Sequence, residues 1–450
     1  MQIIIAYFAK TADISGKKGQ VMKVSIELSL EIRNRKLAEC VARLSGAGCD
    51  ISRVASTGKD LTSTVYQIDL VYDDTASFKR CMASFTEEPE NFRVINLKNH
   101  LEEFLTGSFI TVQGSVKIES PDNYDMNILG VRRLAREKMN ESDDPLQFTG
   151  IKKNVAFVTG VKGNTERETH SRAIHYVDSE IGAAIFAKFS GMNGIPILIR
   201  YDKCEDLLKA ISAIEPGFSA MRFSYLDDDE TPDIYEQLSD TISVPYISYH
   251  HDEIPAFALA GILKMIKKHR YKLNESNIGF IGLDASSIRL SRLCLRAGCM
   301  RVLGFDNNEK NMLHFERQKG LATTPEHIFG NSDIVVLMKN HFTQGDLSKM
   351  RPGIVVLSFL DDETPLSFFQ EKRSCREIVS GEWADTALVY PGAIKGLLAS
   401  GRQFIDDEMV IDLAKMLAAA ESPDGKFFPH IFSDIHEKAE SVTSRRDERE

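Results

Sequence analysis

The stretch Asn277-Ile-Gly-Phe-Ile-Gly-Leu-Asp-Ala-Ser-Ser-Ile288 decides the fold class of this chain. A short apolar run that ends at a glycine is typical of a buried strand entering a tight turn. The pattern predicts a helix over 286–297 and a second buried strand over 301–305. Further buried strands are predicted at 334–338 and 354–357. Strands that alternate with helices in this way indicate a doubly wound, parallel sheet of the Rossmann type.

The turn at Gly282 stands where dinucleotide-binding sheets carry the motif G-x-G-x-x-G. Gly282 is the one glycine kept, since Asp284 and Ser287 take the second and third positions. A carboxylate at the second position caps the following helix and repels phosphate, which favours a closed site. Asp306 favours the opposite interpretation. It ends the next strand, 24 residues after Gly282, where an acid binds the ribose hydroxyls of NAD.

Both alternatives stay open at this point, and the cofactor remains unknown. If a dinucleotide binds, we expect NAD rather than NADP, because Asp306 would repel a ribose phosphate. The predicted cofactor contacts are then Gly282, Ala285, Ser286 and Asp306.

The rest of the chain predicts two further domains and a tail. Over 1–107 the patterns follow the order β-α-β-β-α-β, which is typical of a ferredoxin-like α+β module. Over 108–260 short buried strands flank a helix with small residues, which indicates a second α/β domain. The Rossmann-type domain takes 261–425. The polar segment 426–450 is predicted to be disordered, because it has few apolar side chains to bury.

Composition excludes several classes of protein. The chain has 450 residues, 55 basic and 65 acidic, and its net charge of −10 argues against nucleic-acid and membrane-surface binding. No apolar stretch approaches the roughly 20 residues that span a bilayer. The seven cysteines are scattered and form no C-x-x-C pair, which favours reduced thiols in a cytoplasmic protein. Cys294 and Cys299 lie in and just beyond an apolar helix face and are predicted to be buried.

Five segments carry a resemblance to a known family. They are Gly191-Met-Asn-Gly-Ile-Pro-Ile, Ala213-Ile-Glu-Pro-Gly-Phe, Ala258-Leu-Ala-Gly-Ile-Leu, Asn331-Ser-Asp-Ile-Val-Val and Tyr390-Pro-Gly-Ala-Ile-Lys-Gly. In this order and spacing the chain resembles a bacterial malic enzyme with an amino-terminal ACT-type regulatory domain.

The resemblance implies an oxidative decarboxylase of malate that uses NAD or NADP and a divalent metal. It also implies a homodimer or higher homo-oligomer, and a small-molecule effector at the ACT-like domain. The effector loop of that domain corresponds to Ile32-Arg-Asn-Arg-Lys-Leu37, in which Arg35 replaces a glycine. This replacement puts the ligand-facing turn in doubt.

The residues that the family's chemistry requires are replaced. Gly182 stands where the resemblance implies the lysine base, and Asn127 stands where it implies the tyrosine acid. An asparagine pair that the resemblance implies reads Asp385-Thr386, and the implied substrate-binding Asn-Pro segment is missing near 358–362. General acid and base groups each contribute roughly 10²–10⁴-fold, so their joint loss should abolish malate decarboxylation. We therefore assign no catalytic residue.

The implied metal ligands are also replaced. Ser224 and Tyr225 stand at two acidic positions, and Tyr249 and His250 stand at a third. The neighbouring run His250-His-Asp-Glu253 could supply ligands to a transition metal, but adjacent side chains point to different sides. A loop with solvated or capping roles is the favoured interpretation, and no metal ligand is assigned.

Three functional hypotheses follow. The first is a degenerate malic-enzyme-like protein that acts as a regulatory or scaffold protein, which a cleft filled by Phe223, Tyr225 and Tyr249 would favour. The second is an NAD-dependent oxidoreductase of the family with altered substrate or chemistry. The third is an active family member with a different alignment of its site, which carboxylates converging near Gly182 would favour.

Overall fold

The structure of this protein is a computed structural model that forms two compact units, Met1–Ser115 and Val116–Glu450. The residues that it describes are 22–31, 36–59, 63–72, 75–87, 92–99, 139–140, 149–162, 166–224, 226, 232–360, 369, 375–380, 386–422 and 425–445.

The first unit is a four-stranded antiparallel sheet with strand order β2-β3-β1-β4 and two helices. Its elements are β1 (Met22–Glu31), α1 (Lys36–Gly46), β2 (Asp50–Lys59), β3 (Ser63–Tyr72), α2 (Thr75–Glu87) and β4 (Phe92–Asn99). Alternate residues of β1, Ile26, Leu28 and Leu30, are buried together with Leu44 and Phe85 of the helices. The predicted order of strands and helices is therefore present, and the ACT-type role stays a prediction.

The second unit begins with a four-stranded parallel sheet of order β6-β5-β7-β8. Its elements are β5 (Asn154–Lys162), α3 (Glu166–Ser190), β6 (Asn193–Tyr201), α4 (Cys204–Ile214), β7 (Ala220–Ser224), α5 (Pro232–Thr241) and β8 (Tyr246–Ser248). All five residues of β7 are buried. A polar side chain on this strand must therefore find its partner inside the protein.

A six-stranded parallel sheet follows with strand order β11-β10-β9-β12-β13-β14. Its elements are α6 (Ile254–His269), β9 (Asn277–Ile281), α7 (Ala285–Ala297), β10 (Arg301–Phe305), α8 (Glu309–Arg317), β11 (Leu321–Ala322), α9 (Pro325–Asn331), β12 (Ile334–Leu337), β13 (Ile354–Ser358) and β14 (Cys375–Val379). This order confirms the predicted doubly wound sheet, with its switch point between β9 and β12.

Three more helices end the described chain, and the last corrects the prediction of a disordered tail over 426–450. They are α10 (Tyr390–Ser400), α11 (Asp407–Ala419) and α12 (Ile435–Thr443). Helix α12 buries Ile435, Ala439 and Val442, spaced as one helical face. The Thr443 hydroxyl donates to the Ala393 carbonyl at 3.0 Å. Three buried apolar residues are enough to hold α12 in place because α10 approaches it closely at Gly396. A Cβ atom at Gly396 would overlap Thr443 and Glu440.

The sequence predicts reduced thiols, of which Cys294 and Cys299 are buried, and no membrane-spanning segment. All seven cysteines are free thiols, and Cys294 and Cys299 are buried as predicted. Within the described ranges, no helix is long and apolar enough to cross a membrane.

Candidate functional site

A cleft of about 220 Å³ lies at the carboxyl ends of strands β7 and β8, where ligands bind in open α/β sheets. Helix α3 contributes Asp178 and Gly182, and strand β7 contributes Arg222. The other polar residues of the described lining are Ser224, Tyr249, Thr386 and Tyr390. The cleft therefore brings together positions that the sequence placed at the base and metal sites.

A buried ion pair joins Arg222 to Glu253, the residue before α6. The Nε and Nη2 atoms of Arg222 donate to the two carboxylate oxygens of Glu253 at 2.7 and 2.8 Å. Its Nη1 atom donates to the Ser224 hydroxyl at 2.9 Å. Burial alone would lower the pKa of Arg222, but the Glu253 carboxylate outweighs burial and holds it above its ordinary value. Arg222 is therefore a permanent cation that can neither give nor take a proton.

Aromatic rings surround the same guanidinium. Its central carbon lies 4.3 Å from the ring centroid of Tyr390, 5.5 Å from that of Phe157 and 5.7 Å from that of Tyr249. Desolvated cation–π contacts of this kind stabilise a cation by about 2 kcal/mol. The Tyr390 hydroxyl is engaged as well, since it donates to the Gly182 carbonyl at 3.0 Å. The three rings therefore stabilise the guanidinium of Arg222, a cation that belongs to the protein.

The guanidinium of Arg222 lies next to Gly182. A Cβ atom added to Gly182 would lie 3.4 Å from Nη1 of Arg222 and 3.5 Å from the Phe157 ring. Both distances are ordinary van der Waals contacts, so Arg222 and Phe157 pack directly against this position. At the position of the implied lysine base, the structure thus has a glycine, with a paired arginine in the adjoining space.

The segment Tyr249–Glu253 forms a π-helical turn, which corrects the prediction of a solvated or capping loop. Asp252 is buried, and its Oδ1 atom accepts from Nη1 of Arg289 at 2.6 Å. Its Oδ2 atom accepts from the Ser248 amide at 2.6 Å. Burial would raise the pKa of Asp252, but the Arg289 guanidinium holds it below its ordinary value. Asp252 is thus the anionic half of one buried ion pair. Glu253 is the acid of the other, and burial raises its pKa against the opposing effect of Arg222.

His251 lies beside the second pair. Its Nδ1 atom accepts from Nη1 of Arg289, and its ring stacks on Tyr235 with centroids 4.9 Å apart. Burial and the Arg289 charge lower the pKa of His251 to about 4. The imidazole is therefore neutral at pH 7.

Among the positions that correspond to implied metal ligands, Ser224 and Tyr249 line the cleft, whereas His250 lies outside its described lining. His250 places Nδ1 3.4 Å from the Ser286 hydroxyl, and Ser224 accepts from Arg222. Tyr225, Asn127, Asp385 and the segment around Arg35 lie outside the described residues. Among those that are described, no group of three or more His, Cys, Asp or Glu could hold a metal ion.

The Gly282 turn has the geometry of a Rossmann crossover. Gly282 adopts a φ of +88°, and a Cβ there would lie 2.6 Å from the backbone nitrogen of Lys339. Only glycine combines this conformation with so close an approach. Asp284 caps α7 as predicted, since its Oδ1 accepts from the Ser287 amide at 2.8 Å while the Ser287 hydroxyl accepts from the Asp284 amide.

Asp306 supports this turn from the neighbouring strand. Its Oδ2 atom accepts from the Leu283 amide at 2.7 Å, and its Oδ1 atom accepts from the Asn308 amide at 2.8 Å. Nδ1 of His341 lies 3.4 Å from Oδ2. Each carboxylate oxygen has a second lone pair, but the Asp306 side chain is 2% exposed, so a ribose hydroxyl would reach it only if neighbouring groups moved.

The other two predicted cofactor contacts are buried by the protein itself. Ala285 packs into the apolar core of the β5–β8 sheet, and the Ser286 side chain is 1% exposed near His250. Their backbone amides begin α7 beside Gly282. Of the four predicted residues, Gly282 and Asp306 thus lie close together. Ala285 and Ser286 have buried side chains and contribute their backbone amides at the start of α7.

Comparisons with known proteins give a consistent answer. No protein-family model matches the chain. NAD-dependent malic enzyme 1 of Bacillus subtilis is 22% identical, over 85% of this chain and 88% of that protein. NAD-dependent malic enzyme of Geobacillus stearothermophilus is 21% identical, over 90% and 89%.

Solved structures agree in fold. A malic enzyme from Pyrococcus horikoshii superposes with a TM-score of 0.60 at 18% identity, over 74% of this chain and 86% of that one. An NAD-dependent malic enzyme from Thermotoga maritima gives 0.63 at 17% identity, over 76% and 98%. The chain therefore has the fold of malic enzymes, and its sequence is similar to those of two NAD-dependent malic enzymes.

Proposed function

We propose that this chain is an oxidoreductase of the malic enzyme family that binds NAD and acts on a substrate other than malate. The observation that carries the proposal is the left-handed Gly282 turn, at the switch point of a sheet with strand order β11-β10-β9-β12-β13-β14. The two sequence relatives, both named as NAD-dependent malic enzymes, support the choice of cofactor.

The residues of the turn fit a dinucleotide in part. The backbone at Gly282 and the first amides of α7 would hold the pyrophosphate, and Asp306 would hold the ribose hydroxyls. A bound nicotinamide supplies the hydride acceptor. Asp284 opposes binding, because its carboxylate occupies the Ser287 amide and repels phosphate. NAD is favoured over NADP because Asp306 would repel a ribose phosphate.

The cleft argues against malate as the substrate. Arg222 is the one cation among the described residues that line it, and Glu253 neutralises that cation. Asp178 adds an exposed carboxylate at the same wall. A dianionic substrate would therefore meet no uncompensated positive charge there. A neutral or cationic hydroxy compound of small size suits the cleft better.

Replacing Asp284 with glycine should raise the affinity for NADH by roughly tenfold, because it removes a negative charge from the helix terminus that faces the phosphates. Calorimetric titration with NADH and NADPH measures the effect. A second variant, Asp306→Asn, should weaken NADH binding and reduce the preference for NADH over NADPH.

A matched control is Asp406→Gly, which removes an equivalent helix cap from α11, where Oδ1 of Asp406 accepts from the Met409 amide at 2.8 Å. It should cost stability and leave NADH affinity unchanged. Absence of heat with either nucleotide, in wild type and in folded Asp284→Gly, would contradict the proposal.

A second candidate function is a non-catalytic regulatory or scaffold protein. The Arg222–Glu253 pair favours it. The space beside Gly182, where the resemblance implies a lysine base, holds an arginine that is paired with Glu253 and cannot transfer a proton. Failure of both nucleotides to bind would make this candidate the leading one.

For either function, we propose that the chain forms a homo-oligomer and that its amino-terminal unit binds a small-molecule effector. Light scattering and titration of the full chain with amino acids test these two points.

A further inference from the structure

A second cavity, of about 640 Å³, opens at the amino ends of strands β5 to β8. It lies at the opposite edge of this sheet from the cleft that holds Arg222. Its walls are largely apolar and include Met192, Phe218, Pro245 and Leu398. The volume falls within the range of about 300–1,000 Å³ that is usual for small-molecule sites.

Among the described residues that line this cavity, the charged ones are two lysines. Lys152 precedes β5, and Lys395 lies on α10. The Nζ atom of Lys395 contacts Oε2 of Glu440 at 2.6 Å, and both side chains are about one-third exposed. Exposed pairs of this kind contribute little to stability, so a ligand anion can compete for the lysine. The cavity thus combines an apolar interior with two ammonium groups at its border.

We propose that this cavity binds a small amphipathic carboxylate, with its apolar body against Phe218 and Leu398 and its carboxylate at Lys152 and Lys395. Apolar walls favour such a body, because binding removes its methylene groups from water. A dicarboxylate of the size of malate has little apolar surface and would gain little there. The site is separate from the Gly282 turn, so the proposal does not depend on dinucleotide binding.

Octanoate is a suitable probe for the purified full-length chain. Calorimetric titration should show saturable binding with one site per chain, and hexanoate should bind about tenfold more weakly because it lacks two methylenes. Octan-1-ol, which has no charge, should also bind more weakly. The double variant Lys152→Gln with Lys395→Gln should weaken octanoate binding roughly tenfold or more, because it removes both charged donors.

Two further variants keep the test sharp. Ala399→Trp places a large ring at an exposed position of the cavity wall and should block octanoate without changing charge. Lys438→Gln, on the exposed surface of α12, is the matched control and should bind octanoate as the wild type does. Thermal denaturation of each variant confirms that it is folded.

The proposal would be overturned by no saturable octanoate binding at millimolar concentration, or by binding that Ala399→Trp and the lysine variants leave unchanged. It would also be overturned if octanoate fails to bind while these variants change the oligomeric state in light scattering. That outcome would make the cavity part of an interface between copies of this chain.

Discussion

Replacing Glu253 with glutamine will lower the free energy of unfolding by about 3 kcal/mol or more, because it leaves the Arg222 charge buried without a counter-ion. Both members of the pair are almost completely buried, at 5% and 0% exposure. Glutamine keeps the size of the side chain, so the loss comes from the missing charge rather than from a cavity. Urea denaturation followed by circular dichroism measures the change.

The control for this experiment removes both charges. Arg222→Met combined with Glu253→Leu should recover most of the lost stability, since well-packed apolar residues commonly replace a buried ion pair without cost. Glu275→Gln, which breaks the exposed pair with Lys272, should cause no measurable change. Equal stability of Glu253→Gln and wild type would show that Arg222 is solvated by water and that the cleft is open.

The outcome bears on the choice between the two functions. If the apolar double variant is as stable as wild type, the ion pair is not needed for folding, and its place beside Gly182 points to a role in the cleft. If the double variant is much less stable, the pair is part of the packing that replaced the implied lysine site. That result would strengthen the non-catalytic candidate.

The Rossmann-type sheet was predictable because its signals are local. Each inner strand contains a run of four apolar residues, as at 278–281, and Gly282 marks the turn that follows this run. The cap at Asp284 was predictable for the same reason, since Ser287 lies one helical turn away. Helix α12 was missed because its apolar face has three residues and depends on glycines in α10, a distant segment.

The buried ion pairs could not be predicted with their partners. Arg222 and Glu253 are 31 residues apart, and Asp252 and Arg289 are 37 apart, so only the fold brings them together. A weaker signal was available in Ala220–Ser224, where an arginine interrupts a strand that is otherwise apolar. A charge in a buried strand requires a buried partner, but the sequence offers many acids from which to choose.

Replacing His251 with glutamine will make the protein more resistant to mild acid. The pKa of His251 falls from 6.5 to about 4 on folding, so the unfolded chain binds a proton that the folded chain does not. The free energy of unfolding therefore decreases as pH falls through 6.5 towards 4. Because the side chain is 31% exposed, we expect a loss of about 1–3 kcal/mol. A glutamine side chain can still accept a hydrogen bond from Arg289, but it does not take up a proton. The loss of unfolding free energy in mild acid should therefore disappear in His251→Gln.

Urea denaturation at pH 7.0 and pH 4.5 tests the prediction through the difference between the two free energies of unfolding. The interval isolates His251 from its neighbour Asp252, because that carboxyl has its pKa held below the ordinary value near 3.8 and stays ionised at both pH values. His327→Gln, at an exposed histidine of α9, is the matched control and should keep the wild-type pH dependence. If His251→Gln also keeps it, then His251 accepts a proton in the folded state. The imidazole would then have to turn away from Arg289, and the Tyr249–Glu253 turn would be linked to α7 by Asp252 and by the contact between His250 and Ser286.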